Sequence, residues 1–368
     1  MRILYVEPYE GGSHASFTRA LHACVPAQWT ALTLPARHWK WRMRGSAVWA
    51  ALSHPDIVAG EYDAVWASSY VPLAELLALC PALRGVPAIL YFHENQLAYP
   101  AQHGAAPERD HHYGVTQMVS ALAATRCVFN SAFNRDSFLE AGAALLRRMP
   151  DAIPPGWIEA IAARSEVLGV PVSVADVAPP AGPAPAASGP LILWSHRWEH
   201  DKNPEAFFDA LRHLDAAGVP FRVAVCGQRF RRVPEVFALA RAQLGERIEH
   251  WGYLDTREDY VALLQRCDIA ISTARHEFFG LAMLEATHHG ARPLVPDRLA
   301  YPELFGPEYR YADDAALPRA LEALCRTHLG GTSLRADRRS LTRPFLAAAL
   351  GPRYRELLTR VRRRSSRS

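Results

Sequence analysis

The sequence predicts two doubly wound α/β domains, each a parallel sheet covered by helices, facing each other across a central cleft. Three observations carry this expectation. Short apolar, β-rich runs alternate with helical segments in both halves of the chain. Residues 178–190, between the halves, consist of Pro, Ala, Gly and one Ser with no apolar period, the composition of a linker or extended loop. At 368 residues, 49% of them hydrophobic, the chain is long enough to bury two cores.

In the first half the apolar runs are 2–8, 30–34, 64–68, 88–92 and 127–130. In the second they are 191–195, 222–226, 250–253, 269–273 and 293–295. Strands covered on both faces need runs apolar throughout, as these are. Helical stretches at 16–24, 113–124, 204–216 and 281–289 lie between them, and strand–helix alternation builds parallel sheets through right-handed crossovers. The expected organisation is a first domain over 1–177, a linker over 178–190, a second domain over 191–345, and a C-terminal helix with an arginine-rich tail over 346–368. Ligands of such sheets meet the carboxyl ends of the strands.

Composition narrows the class. No run of about 18 apolar residues occurs, so no membrane-spanning helix and no membrane partner are expected. The opening Met1-Arg2-Ile3-Leu4-Tyr5-Val6-Glu7 lacks the long apolar core and cleavage site of a secretory signal and reads as a buried strand. Six scattered cysteines (Cys24, Cys80, Cys127, Cys226, Cys267, Cys325) form no Cys-x-x-Cys pair. They indicate reduced thiols and a cytoplasmic location. The net charge of +4 depends on residues 360–368, which hold five arginines and no acid; without those five it falls to −1. Any affinity for polyanions must therefore come from local patches.

The motif with the most chemical content is His276-Glu277-Phe278-Phe279-Gly280-Leu281-Ala282-Met283-Leu284-Glu285. Transfer of a sugar from a nucleotide donor gives carboxylates two tasks: accepting hydrogen bonds from ribose hydroxyls, and holding sugar hydroxyls beside the anomeric carbon. Glu285, on the helix, suits the ribose; Glu277, at the strand-to-helix turn, suits the sugar. The amides of Phe279, Gly280 and Leu281 form a helix N-terminus able to meet a diphosphate, and Gly280 lets backbone approach closely. A hydrolase pair fits worse. Eight helical residues span about 12 Å, against roughly 5–9.5 Å for paired glycosidase carboxylates.

A second constellation, His196-Arg197-Trp198-Glu199-His200-Asp201-Lys202-Asn203-Pro204, follows the run 191–195. Arg197 offers a fork and Lys202 a point charge for a leaving diphosphate; a solvated charged loop is the plainer reading. Glu10-Gly11-Gly12-Ser13-His14 follows the first strand without being a Gly-x-Gly-x-x-Gly pattern. It reads equally as an ordinary turn or as backbone held close to donor phosphates or the incoming hydroxyl. Tyr91-Phe92-His93-Glu94-Asn95-Gln96 ends the fourth run. There His93 is either a sugar ligand or a structural histidine, and Glu94, Asn95 and Gln96 can read hydroxyls or the acceptor. Arg37, His38, Trp39, Lys40, Trp41, Arg42 and Arg44 interleave cations with tryptophans. This suits stacked bases and phosphates, and equally an amphipathic helix start. The terminal arginines (Arg360, Arg362, Arg363, Arg364, Arg367) are a disordered tail or a second backbone contact.

No His-Glu-x-x-His occurs, and the pairs His111-His112 and His288-His289 point apart on a helix. No cofactor and no essential metal are expected, with Arg197, Lys202 and the helix N-terminus taking the metal's place at the diphosphate.

With Glu277…Glu285 and Arg197…Lys202 in view, the chain resembles family-4-type retaining glycosyltransferases of the GT-B architecture, built of two Rossmann-like domains. A narrower likeness rests on longer strings. Glu7-Pro8-Tyr9-Glu10-Gly11-Gly12-Ser13-His14, Leu34 through Arg42, Tyr91 through Leu97, Phe129-Asn130-Ser131, His196 through Lys202, Trp251-Gly252-Tyr253-Leu254 and His276 through Gly280 are similar to the tRNA-queuosine α-mannosyltransferase family. That resemblance implies transfer of mannose from GDP-mannose to the cyclopentene-diol of queuosine at the wobble position of an aspartate tRNA, with retention at the anomeric carbon. It implies a catalytic set of Glu277, His93, Arg197 and Lys202. The donor would be held by Gly11, Gly12, Arg197, Lys202, Gly227, Tyr253, Leu254, Phe279, Gly280, Leu281 and Glu285. The acceptor would be held by Ser13, His14, Arg37, Trp39, Lys40, Trp41, Arg42, Arg44, Glu94, Asn95, Gln96 and Asn130. The rival reading keeps sugar transfer and gives the enzyme another nucleotide sugar and a glycan, lipid or small-molecule acceptor.

Overall fold

The computed structural model describes residues 1–98, 111–174, 188–229 and 233–365. It divides into two compact units. One comprises Met1–Ser173 with Phe345–Ser368, the other Val174–Pro344. The expected linker residues 178–187 lie outside the described residues, as does Arg367.

The sheet of the first unit runs β2 (Gln28–Pro35), β1 (Arg2–Glu10), β3 (Ala64–Ser68), β4 (Ala88–Phe92), β5 (Arg126–Phe129), β6 (Ser165–Val167), all parallel. That of the second runs β12 (Arg310–Tyr311), β11 (Arg292–Pro296), β10 (Ile269–Ile271), β7 (Leu191–Ser195), β8 (Arg222–Cys226), β9 (Ile248–Gly252), again parallel. Each expected run is a strand. The central strands β3 and β4 are buried at every residue, which is why their sequences are apolar without alternation. β6 and β12 were not expected: they are edge strands of three and two residues, Ser-Glu-Val and Arg-Tyr, too short and too polar for a periodic signal.

Strand order reverses direction once in each sheet, between β1 and β3 in the first and between β7 and β10 in the second. Such a reversal opens a crevice at the carboxyl ends of the two strands, where α/β sheets bind ligands. The chain segments leaving those four strands therefore define the candidate site.

The helix Ala347–Ser365 returns to the first unit. Its Tyr354 is fully buried and donates to the Gly169 carbonyl at 2.7 Å, beside Tyr91, Phe17 and Trp66. Leu357, Leu358 and Val361 bury the same helix face. Arg360 pairs with Glu166 at 2.7 Å and Arg362 lies 3.4 Å from Asp63. Part of the terminal arginine cluster is thus a folded helix face joined to acids of its own unit. Among the described residues, no helix is long and apolar enough to cross a membrane.

Candidate active site

At the reversal of the second sheet, two loops meet. The chain leaving β7 makes a short turn at His200–Lys202, places Asn203 in the left-handed region (φ 50°), and starts the helix Pro204–Ala216. Asn tolerates that conformation and Pro suits a first helical position. The chain leaving β10 is tied to it: the Thr273 hydroxyl donates to the Lys202 carbonyl at 2.8 Å, and the Arg275 amide to the Asp201 carbonyl at 2.8 Å. Trp194, inside β7, donates to Thr273 from its indole nitrogen at 3.0 Å.

These ties bring Lys202 and Glu277 together. The buried Lys202 ammonium donates to the His276 carbonyl at 2.6 Å and to Glu277 Oε2 at 3.3 Å, with Asp201 Oδ2 also at 3.3 Å. Burial pushes the Glu277 carboxyl up, but the Lys202 charge and hydrogen bond, His196 and the Phe279 amide together outweigh it and hold it down at about 2. Burial opposes the charge on Lys202, yet Glu277 and Asp201 keep it above its ordinary value. Burial, reinforced by Lys202, brings His196 and His276 both down to about 4. At neutral pH both rings are uncharged. Buried His196 Nε2 has no hydrogen-bond partner among the described residues.

Other donor-side residues surround or flank this pair, with the Arg197 charge felt at Lys202, His196 and His276. Arg197 is half-buried, and its Nε lies 3.2 Å from Glu199. Glu285, on the helix Leu281–His288, accepts from Arg257 at 2.7 Å. The Phe279 amide donates to Glu277 Oε1 at 3.4 Å. Gly280 caps the helix at φ 97°, a conformation costly for any residue with a Cβ. Gly227 has φ 144°, and a Cβ there would lie 1.8 Å from the His196 carbonyl oxygen, so glycine lets the chains leaving β7 and β8 pass. Past β9, Tyr253 is exposed and Leu254 half-buried.

At the reversal of the first sheet lies a cluster of which the sequence reading singled out His14 and His93 but not Glu7. Glu7, in β1, is 0% exposed. Its Oε1 accepts from the Tyr9 amide at 2.9 Å and the Ser68 hydroxyl at 3.1 Å; its Oε2 lies 3.0 Å from His14 Nδ1 and 3.9 Å from His93 Nε2. The two imidazoles stack with centroids 4.1 Å apart. Burial and His14 push His93 well below the ordinary histidine range. The signal was present: a glutamate inside an otherwise apolar strand is an anomaly, since buried carboxylates need partners.

Gly11 and Gly12 lead into the helix Gly12–Cys24 with Ser13 exposed and His14 buried. A Cβ on Gly11 would lie 2.5 Å from Ala36 Cβ, so this turn packs against the start of the Arg37–Arg44 segment. In that segment, Trp39 packs on Met43, Tyr70 and Tyr113. Lys40 lies over the Trp39 ring and Arg44 over the Tyr113 ring, at 5.6 and 4.9 Å. Trp41 is 66% exposed, while Arg37 is exposed and Arg42 half-buried. Trp39 is therefore half-buried against this cluster and Trp41 lies at the surface.

The polar run after β4 divides. Glu94 accepts from the Tyr70 hydroxyl and from Gln96 Nε2. Asn95 and Asn130, expected on the acceptor side, are internal braces. Asn95 donates to Asn134 and Ser137 and accepts from the Ala98 amide. Asn130 donates to the His93 carbonyl at 2.8 Å and accepts from Asn134. Both are buried, and these bonds occupy their amides, so they shape the loop that carries His93.

Similarity to known proteins follows the same division. Residues 2–172 match the family described as tRNA-queuosine alpha-mannosyltransferase N-terminal, and residues 183–326 match glycosyl transferases group 1. The chain is 39% identical over 332 residues to the tRNA-queuosine alpha-mannosyltransferase of Drosophila melanogaster, covering 88% of this chain and 87% of that one. Over 114 residues it is 31% identical to a GDP-mannose-dependent alpha-(1-6)-phosphatidylinositol dimannoside mannosyltransferase of Mycobacterium tuberculosis, covering 31% of this chain and 29% of that one. Among solved structures, sucrose-phosphate synthase from Thermosynechococcus elongatus (TM-score 0.69, 14% identity, covering 98% of this chain and 99% of that one) shares the fold. So does Anabaena HepE in complex with UDP (TM-score 0.66, 13% identity, covering 98% and 100%). These likenesses fix the two-domain GT-B architecture, and identity sustained across both units makes this glycosyltransferase a member of the tRNA-queuosine alpha-mannosyltransferase family.

Proposed function

We propose that the enzyme transfers mannose from GDP-mannose to queuosine at the wobble position of tRNA-Asp, with retention, in the cytoplasm. The observation that carries the sugar-transfer chemistry is the buried Lys202–Glu277 pair at the reversal of the second sheet. A carboxylate held ionised beside an ammonium can orient sugar hydroxyls while the ammonium meets the leaving group. The acceptor follows the name of the fly relative, and the donor that of the mycobacterial one.

In this mechanism the acceptor hydroxyl attacks the face from which the diphosphate leaves, and the departing phosphate takes its proton. Lys202, Arg197 and the Gly280 and Leu281 amides stabilise the diphosphate, so no metal is required. Glu285 holds the ribose, Glu277 and His93 orient the sugar, and guanine meets Gly227 and Tyr253–Leu254. Arg37, Lys40, Arg42 and Arg44 follow RNA phosphates, and Trp41 offers a stacking face.

Incubation with labelled GDP-mannose and tRNA with or without queuosine, followed by nucleoside digestion, tests the reading. Label is expected on queuosine and on no other nucleoside. Absence of label from queuosine-containing tRNA would overturn the acceptor assignment, and transfer that ignores the tRNA in favour of a glycan or lipid would establish the rival.

A further inference from the structure

Glu285 reaches the reversal of the second sheet from the helix Leu281–His288, and its side chain is 12% exposed. Its Oε1 accepts from Arg257 at 2.7 Å, while Oε2 accepts no hydrogen bond among the described residues. A carboxylate offers several lone pairs, so one guanidinium N–H leaves room for hydroxyl donors on both oxygens.

Arg257 comes from a different part of the sheet. It opens the helix Arg257–Leu264, which connects β9 at the sheet edge to β10 beyond the reversal. Thr256 caps that helix, its hydroxyl accepting from the Asp259 amide at 3.1 Å. The Arg257 guanidinium lies 5.4 Å from the centre of the Tyr260 ring, within reach of a cation–π attraction. The Tyr260 hydroxyl in turn meets Ser195 Oγ, at the end of β7, at 3.0 Å. The guanidinium is thus placed by its own helix and by a ring anchored on β7, and it transmits that placement to Glu285. A glutamate left to itself loses rotamer freedom when it grips a ligand; one already fixed does not, and the ligand binds more tightly for it.

We propose that Arg257 is the positioning residue for Glu285: it holds the carboxylate in the orientation that accepts the ribose hydroxyls of the nucleotide donor, and so sets part of the preference for a ribonucleotide. The inference rests on the assignment of Glu285 to the ribose made above. Arg257 acts through the carboxylate. An ordinary ion pair with so exposed an arginine contributes little to stability, so its removal should be felt in ligand choice more than in the fold.

The test measures binding of GDP and of 2′,3′-dideoxy-GDP to the full-length protein by titration calorimetry. Wild type should bind GDP about 10–100-fold more tightly than the dideoxy nucleotide, the difference made by the two hydroxyls. In Arg257→Met, which keeps the aliphatic stem, that ratio should drop at least about fivefold, with the affinity for dideoxy-GDP within about threefold of wild type. Should Arg257→Met not fold, Arg257→Gln reads the same ratio. A merely structural role would weaken both nucleotides alike and leave the ratio unmoved. A folded variant that keeps the wild-type ratio therefore overturns the proposal, whether both affinities hold or fall together. Glu285→Ala should abolish the preference altogether. A wild-type ratio in Glu285→Ala, or equal binding of both nucleotides by wild type, would instead overturn the ribose assignment itself.

Discussion

Replacing Lys202 with methionine should expose how strongly the second unit depends on one buried ion pair. The Lys202 ammonium lies 3.3 Å from Glu277 Oε2, and the Glu277 side chain is only 22% exposed. Glu277 is held at about 2 against an ordinary 4.5, which at about 1.4 kcal/mol per unit corresponds to roughly 3 kcal/mol of stability. The sign follows from the depression: the contribution is fully present above pH 4.5 and is lost as pH falls toward 2. Removing the ammonium leaves the carboxylate buried beside neutral histidines and takes away the donor to the His276 carbonyl. A loss of about 3–5 kcal/mol is expected for Lys202→Met at pH 7.5. The double variant Lys202→Met/Glu277→Gln removes the stranded charge and should recover to within about 2 kcal/mol of wild type. Urea denaturation followed by circular dichroism measures both, and the gap between wild type and Lys202→Met should narrow below about pH 4.5. A single variant within about 1 kcal/mol of wild type, or a double variant no more stable than the single, would refute the argument. The double variant should also be inactive. A stable fold without transfer would show that the pair is kept for chemistry, since buried ion pairs are seldom the most stabilising choice.

Two further outcomes follow from packing. Gly227→Ala should cost more than about 3 kcal/mol or prevent folding, because its Cβ would sit 1.8 Å from the His196 carbonyl at φ 144°; an unchanged melting temperature would show that the β7 and β8 loops can yield. Tyr354→Ala opens a cavity among Phe17, Trp66 and Tyr91 and removes the 2.7 Å bond to Gly169. A loss of about 3–5 kcal/mol is expected, read by limited proteolysis as release of the helix Ala347–Ser365; resistance equal to wild type would place the helix's anchorage elsewhere.

What the sequence reveals depends on whether the physics is local. β3, β4, β7 and β8 match their expected bounds residue for residue because each is buried on both faces and bounded by turn residues. β6 and β12 are too short for a period. The pattern at Tyr354, Leu357, Leu358 and Val361 shows an amphipathic helix, but which sheet it covers is a long-range property that one sequence does not encode legibly. The same limit governs the site. Lys202 and Glu277 are recognisable as chemistry-bearing residues at strand ends, while their contact across 75 positions is set by the loop ties through Thr273 and Asp201. Asn95 and Asn130 look like ligands at strand ends, and turn inward because Asn134 offers both a donor and an acceptor. Glu7 has no periodic signature at all; only its charge in an apolar strand marks it.

The two sheets thus each place a buried carboxylate at their reversal and solve its desolvation differently. Glu277 is matched by a full positive charge, with His196 and His276 held neutral at about 4, so near neutral pH the local positive charge rests on Lys202 and Arg197. Glu7 is matched by a backbone amide, a hydroxyl and an imidazole nitrogen of His14, with no lysine or arginine among these contacts. The second unit holds a cation suited to charge that grows on a leaving diphosphate.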